Sequence, residues 1–103
     1  MKYIFEWDPH KAKTNHKKHH VAFETATTVF KDEHAISIYD DEHSDDEHSD
    51  DEERWITLGM DALTRVLVVV HLYFKIENDT CTIRIISARK AVAKEIDTYK
   101  GIK

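Results

Sequence analysis

A chain of 103 residues with 41% hydrophobic and 10% aromatic residues carries enough apolar side chains for one modest core, and its length leaves no room for a second domain. Two glycines and one proline argue against a linker-rich or disordered protein, one cysteine excludes an internal disulfide, and the longest aliphatic run, Val66 to Val70, is too short for a membrane span. The formal charge of -5 speaks against nucleic-acid binding only as a total: residues 40–54 read DDEHSDDEHSDDEER and carry -9, which leaves +4 on the other 88 residues.

From the N-terminus, Tyr3 to Trp7 mixes aromatic and β-branched residues and predicts a short strand that stops at Asp8-Pro9. Asp8 is suited to cap a helix and Pro9 to open it, so a first, almost wholly polar helix follows over about His10 to His19. Its lack of an apolar stripe sets it on the surface, or against a ligand or partner. Phe23, Ala26, Thr27 and Phe30 recur at helical spacing and predict a second helix over about Ala22 to Val29. Ala35 to Tyr39 reads as a strand. The acidic window after it holds two copies of Asp-Asp-Glu-His-Ser and a partial third, a like-charge block that predicts a solvated loop at about 40–53.

Three further strands are predicted over Trp55 to Met60, Arg65 to Lys75 and Thr80 to Ser87, with turns at Asp61 and Asn78-Asp79 and an antiparallel meander as the arrangement. Ser87 is placed to cap a last helix over about Ala88 to Lys100, which Gly101 ends. The order β-α-α-β-β-β-β-α predicts an α+β fold over residues 1–103: a mainly antiparallel sheet with two N-terminal helices and one C-terminal helix. A carboxylate arrives too early in Met1 to Asp8 for a signal peptide, and with the lone Cys81 this predicts a cytoplasmic protein.

Five segments carry a family resemblance: Phe5-Glu6-Trp7-Asp8; the Lys11 to His19 helix with Asn15 and Lys17-Lys18-His19; Glu53-Arg54-Trp55; Val68-Val69-Val70-His71; and Arg84-Ile85-Ile86-Ser87-Ala88-Arg89. Together and in this order they resemble the BrnT toxins. That resemblance implies a RelE-like fold and a metal-independent endoribonuclease toxin of a type II toxin-antitoxin system, which stops translation and growth and needs no cofactor. It also implies a ribbon-helix-helix, BrnA-like antitoxin that forms a hetero-oligomer with the toxin and alone touches operator DNA. Three departures stand out: His20 replaces the usual glycine after the first helix, Phe74 replaces an arginine that many members carry, and the duplicated acidic repeat looks like a five-residue insertion.

Metal-independent RNA cleavage needs a base for the 2′-hydroxyl proton, an acid for the leaving oxygen, and cations over the crowded phosphate. Arg84 and Arg89 offer planar, permanently charged forks, and His71 offers a proton carrier near neutral pH; these three are the candidate catalytic residues. Strand alternation turns Arg84 away from Ile83 and Ile85, and Arg89 is expected in the first turn of the last helix, where free amides also favour phosphate. Lys17, Lys18, His19, Arg54 and Lys75 are the expected outer ring of RNA contacts. Each side chain also has a plainer reading, the arginines as partners of surface carboxylates and His71 as a hydrogen-bonded core residue. His16, His19 and His20 have helical ligand spacing but no further ligand in view, so no metal site is expected. A non-catalytic module that binds RNA or the antitoxin is the alternative function, kept open by Phe74.

Overall fold

The computed structural model describes residues 2–40 and 54–101. Nine elements follow the predicted order: β1 (Lys2–Glu6), α1 (Pro9–His19), α2 (Phe23–Ala26), a 3₁₀ turn (Thr27–Lys31), β2 (Ile36–Tyr39), β3 (Arg54–Met60), β4 (Val66–Glu77), β5 (Thr80–Lys90) and α3 (Ala93–Lys100). The strands form one sheet in the order β1-β5-β4-β3-β2. From β2 to β5 it is an antiparallel meander, and β1 joins β5 in parallel.

One face of this sheet carries the core. Val21, Phe23, Ala26 and Val29, from α2 and its flanks, pack on Leu67, Val69, Ile83, Ile85 and Ala88, with Phe5, Trp7, Ala12 and Phe30 closing the edges. Gly59 lets the 3₁₀ turn lie directly on β3, because a Cβ there would meet the Cβ atoms of Ala35 at 3.1 Å and Val29 at 3.2 Å. Among the described residues the core helices leave the opposite face open, though Leu58, Val68 and Leu72 on it are buried, and α3 flanks one end of it. Tyr99 ties that helix down by donating to Asp32 Oδ2 at 2.6 Å, and the Met60 amide donates to the same oxygen at 2.8 Å. Burial alone would raise the Asp32 pKa, but the Met60 amide, the Tyr99 hydroxyl and the His34 amide together hold it below the usual value.

The predicted start of α1 is correct in detail: Asp8 Oδ1 accepts from the His10 amide at 2.8 Å, and Pro9 stands in the first turn. Its end bears out the consequence of His20. The residue sits in the left-handed region at φ 60, donating its N–H to the His16 carbonyl at 2.8 Å. A non-glycine residue there costs about 1–2 kcal/mol, and glycine's greater freedom in the unfolded chain gives part of that back. His20→Gly is therefore expected to stabilise the protein by about 0.5–1 kcal/mol, read as a melting temperature higher by roughly 3–6 °C. An unchanged or lower value would show that the His20 side chain contributes contacts that outweigh the strain.

Two sequence expectations are corrected. The last helix begins at Ala93 after Val92, not at Ala88 after Ser87, because Ala88, Arg89 and Lys90 continue β5 and pair with Val69, Val68 and Leu67. Asp40, assigned to the solvated loop, is buried, and its amide extends the β2–β3 ladder by donating to the Arg54 carbonyl at 2.9 Å. The rest of that acidic segment, 41–53, lies outside the described residues.

Candidate nucleic-acid interface

Alternation along β5 sends Cys81, Ile83 and Ile85 into the core and Arg84 to the open face, as expected from its neighbours. Pairing then builds a row across four strands, in which Glu6, Arg84, Leu72 and Arg54 stand side by side. Arg54 and Arg84 flank Leu72 two strand spacings apart, which is about 10 Å between backbones.

Two register irregularities shape this face. Between Val70 and His71 of β4, the pairing on β5 jumps from Ser87 to Ile85 and leaves Ile86 as an extra residue. Between Tyr73 and Lys75 the extra residue is Phe74. Such bulges re-aim side chains. Here the second bulge brings the Phe74 ring beneath Arg84, with the guanidinium carbon 4.0 Å from the ring centroid. The position at which the family departure removes an arginine thus supplies a flat support for the arginine next to it.

Arg84 is also held from the side. Its Nε and Nη2 both donate to Glu6 Oε2, at 3.0 and 2.9 Å, and both side chains remain more than one third exposed. So exposed a pair contributes only about 0–1 kcal/mol to folding, so the guanidinium can exchange or share its carboxylate with a phosphate at little cost. Beside the pair lies a polar cleft lined by Glu6, Asp8, Lys11, Arg84 and Ile86. It adjoins a shallower groove between α1 and β5, which shares Lys11 and Ile86 and adds His10, Lys18, His19 and Ser87.

The floor of that groove is fixed by Asn15. At this level β1 has ended, so the outer edge of β5 lacks a strand. The Asn15 side chain replaces one: its Nδ2 donates to the Ala88 carbonyl at 2.8 Å, and its Oδ1 accepts from the Ala88 amide at 3.1 Å. A further bond from Nδ2 to the Val21 carbonyl at 3.1 Å anchors the segment after α1. Asn15 is buried, and it sets Lys11, Thr14 and Lys18, its neighbours on one helical face, against β5.

The expected catalytic trio does not converge. Arg89 is on the open face as well, but it lies opposite Val68 while Arg84 lies opposite Leu72, four residues along β4 or about 13 Å apart. It is held by Glu95, with Nη1 to Oε1 at 2.9 Å and Nη2 to Oε2 at 2.8 Å. Glu95 Oε1 also accepts from the Val92 amide at 2.8 Å, so the pair locks the start of α3. The mutual hydrogen bonding raises the Arg89 pKa and lowers that of Glu95. In place of a helical first turn, Arg89 has a strand position at the rim of an apolar groove formed by Ile36, Ile38, Ile56, Leu58 and Val68.

His71 is on the other side of the sheet and is 0% exposed. Its ring meets Phe30 and Tyr73 edge-on, with centroids 4.9 and 5.1 Å away. Nε2 is 2.7 Å from the Thr57 hydroxyl, which is 2.8 Å from the Ser37 hydroxyl, while Nδ1 has no hydrogen-bond partner among the described residues. Burial lowers its pKa from the ordinary 6.5 to about 4. The plainer reading of this histidine fits its position, with a hydroxyl rather than backbone as partner.

Of the outer ring, Lys18 and His19 line the groove, and Arg54 stands in the arginine row. Lys17 is exposed, two residues from Asn15 and so on the far side of α1. Lys75 pairs with Thr82 in β4, and its side chain lies outside the described residues. Glu6 and Lys11 belong to segments that carry the family resemblance but were not among the expected site residues, although Lys11, Thr14, Asn15 and Lys18 share a helical spacing that marks one face. Among the described residues no three His, Cys, Asp or Glu side chains are grouped to hold a metal ion, and no helix is long and apolar enough to cross a membrane.

The family model described as ribonuclease toxin, BrnT, of type II toxin-antitoxin system matches residues 7–95. Among solved structures, the fold is similar to the crystal structure of the Brucella abortus ribonuclease toxin BrnT, with a TM-score of 0.57 and 18% identity, over 89% of this chain and 99% of that one. No curated protein sequence matches. The family match spans most of the chain, from Trp7, just past the end of β1, to the Glu95 that holds Arg89, and on that basis the chain belongs to the BrnT family of ribonuclease toxins of type II toxin-antitoxin systems.

Proposed function

We propose that this protein is a metal-independent endoribonuclease that works on the open sheet face around Arg84, stops translation and growth by cutting RNA in the cytoplasm, and is neutralised by a ribbon-helix-helix antitoxin. The observation that carries the site is the Arg84 guanidinium, stacked on Phe74, flanked by Glu6 and opening on a cleft that holds Lys11. Permanent positive charge set in advance where a phosphate gains negative charge is the largest single contribution most such sites make. Lys11, Lys18 and His19 extend the cationic track along α1, with Arg54 on the other side and Lys75 further along β4. In this reading Lys17 adds only long-range attraction, and Arg89 holds α3 and a more distant part of the RNA. The antitoxin binds as a partner in a hetero-oligomer and supplies the contacts to operator DNA.

Attack by a 2′-hydroxyl leaves a recognisable pair of ends. Purified protein incubated with an RNA oligonucleotide in excess chelator is expected to give fragments ending in 2′,3′-cyclic phosphate and 5′-hydroxyl, and no cleavage of the all-2′-deoxy analogue. Products that form only when a divalent cation is restored contradict metal independence. RNA that is bound but left intact favours the non-catalytic module instead.

A further inference from the structure

We infer that Glu6 is the group that takes the 2′-hydroxyl proton, an assignment that rests on the ribonuclease reading above. The cleavage needs a base beside the phosphate, and His71, the side chain expected to serve, is shut in the core on the opposite face. Two carboxylates, Glu6 and Asp8, share the cleft with Arg84 and Lys11, and of the two Glu6 stands in the same cross-strand row as the two arginines.

The hydrogen bonds leave it one oxygen for the task. Oε2 takes both bonds from Arg84, through Nε and Nη2, whereas Oε1 makes no hydrogen bond among the described residues. Arg84 likewise uses only one edge of its fork, and its Nη1 has no hydrogen-bond partner among the described residues. The Phe74 ring under the guanidinium fixes the plane in which both edges lie. That leaves Nη1 and the outer end of the fork for a phosphate in the cleft that Glu6 also lines. The other ionisable groups of the cleft are Lys11 from α1 and Asp8 from the β1–α1 link, whose Oδ1 caps α1 by accepting from the His10 amide and which lies beyond the end of the β1–β5 pairing.

In the step this geometry supports, Glu6 Oε1 accepts the 2′-hydroxyl proton as the 2′-oxygen forms a bond to phosphorus. The bond from phosphorus to the 5′-oxygen breaks, and that oxygen takes a proton from solvent at the open side of the cleft. Arg84 meets the charge that builds on the non-bridging oxygens. The products are a 2′,3′-cyclic phosphate and a 5′-hydroxyl, and no electrons are gained or lost.

Glu6→Gln separates this role from that of a mere partner for Arg84, since the amide oxygen still accepts from the guanidinium but no longer takes a proton. With the purified full chain and the same RNA oligonucleotide, E6Q is expected to lower kcat by about 10²–10³ with KM changed little, the usual size of a lost general base. It should also abolish the rise of rate with pH on the acid side, while Glu6→Asp keeps that rise at a reduced rate. Circular dichroism and melting temperature check the fold. The assignment is overturned if E6Q cleaves like wild type, or if its loss lies in KM with the pH profile retained, which is the signature of a positioning residue. A wild-type protein that binds RNA without cutting it would instead fail the ribonuclease reading, and Glu6 would have no reaction to serve.

Discussion

Replacing Arg84 by alanine is expected to slow RNA cleavage by about two to three powers of ten while the protein stays folded. The size follows from one lost contact to developing transition-state charge, typically about 3–4 kcal/mol. The fold should survive because the ion pair to Glu6 is exposed and the strand is held by pairing with β1 and β4, neither of which uses the guanidinium. Arg89→Ala provides the contrast. It removes both bonds to Glu95 and loosens the start of α3, so its main effect is a lower melting temperature, and its effect on cleavage is about tenfold or less because it lies about 13 Å along the sheet. Cleavage time courses for the two single variants, with melting curves alongside, make the comparison. Equal losses of rate in two folded variants would mean that the arginines act together after all, on an RNA that spans both.

A second large effect is expected on the acid side of neutrality. His71 is held neutral in the core with its pKa near 4, whereas the unfolded chain binds the proton at the ordinary 6.5. A depressed folded pKa means that the unfolded state takes up the proton first. The stability is therefore complete above about pH 6.5 and is lost as the pH falls toward 4. The gap corresponds to about 3 kcal/mol at full extent, or a melting temperature lower by roughly 10–20 °C for a chain of this size. Asp32 and Glu95, whose pKa values lie below their ordinary values of 3.8 and 4.5, begin to lose their contributions only near and below those ordinary values, which leaves the window above about pH 5 to the histidine. Melting curves between pH 7 and pH 4.5 for wild type and His71→Gln carry the test. The wild type should show the steep decline and the variant a shallower one from a lower start. A wild-type melting temperature that is flat across the window would mean that His71 is not held neutral in the folded protein.

How much of this was legible in the sequence depended on whether the deciding interaction was local. Asp8-Pro9 fixed the start of α1 because a cap acts within one turn, and the outward direction of Arg84 followed from its two isoleucine neighbours. The face chosen by His71 did not follow in the same way. Val66 to Val70 is apolar on both faces, so alternation alone could not say which one the helices cover. Arg89 was misplaced because Ser87-Ala88 has the local chemistry of a helix start, yet pairing with Leu67, Val68 and Val69 and the Asn15 side chain, 73 residues away, keep it in a strand. The bulges at Ile86 and Phe74, and the meeting of Glu6 with Arg84 across 78 residues, are products of register between distant strands. No local pattern reports such a register.

The central claim is that RNA is handled on the open sheet face at Arg84 and not on the face where His71 is buried. An NMR titration with a 2′-O-methyl RNA oligonucleotide, which can be bound but not cut, tests it most directly. The account predicts backbone amide shifts centred on Glu6 and Trp7, Lys11, Leu72 to Phe74, and Arg84 to Ser87, weakening as salt is added. Shifts confined to the helical face, around Phe23 to Lys31, with Arg84 and its neighbours unmoved, would contradict it.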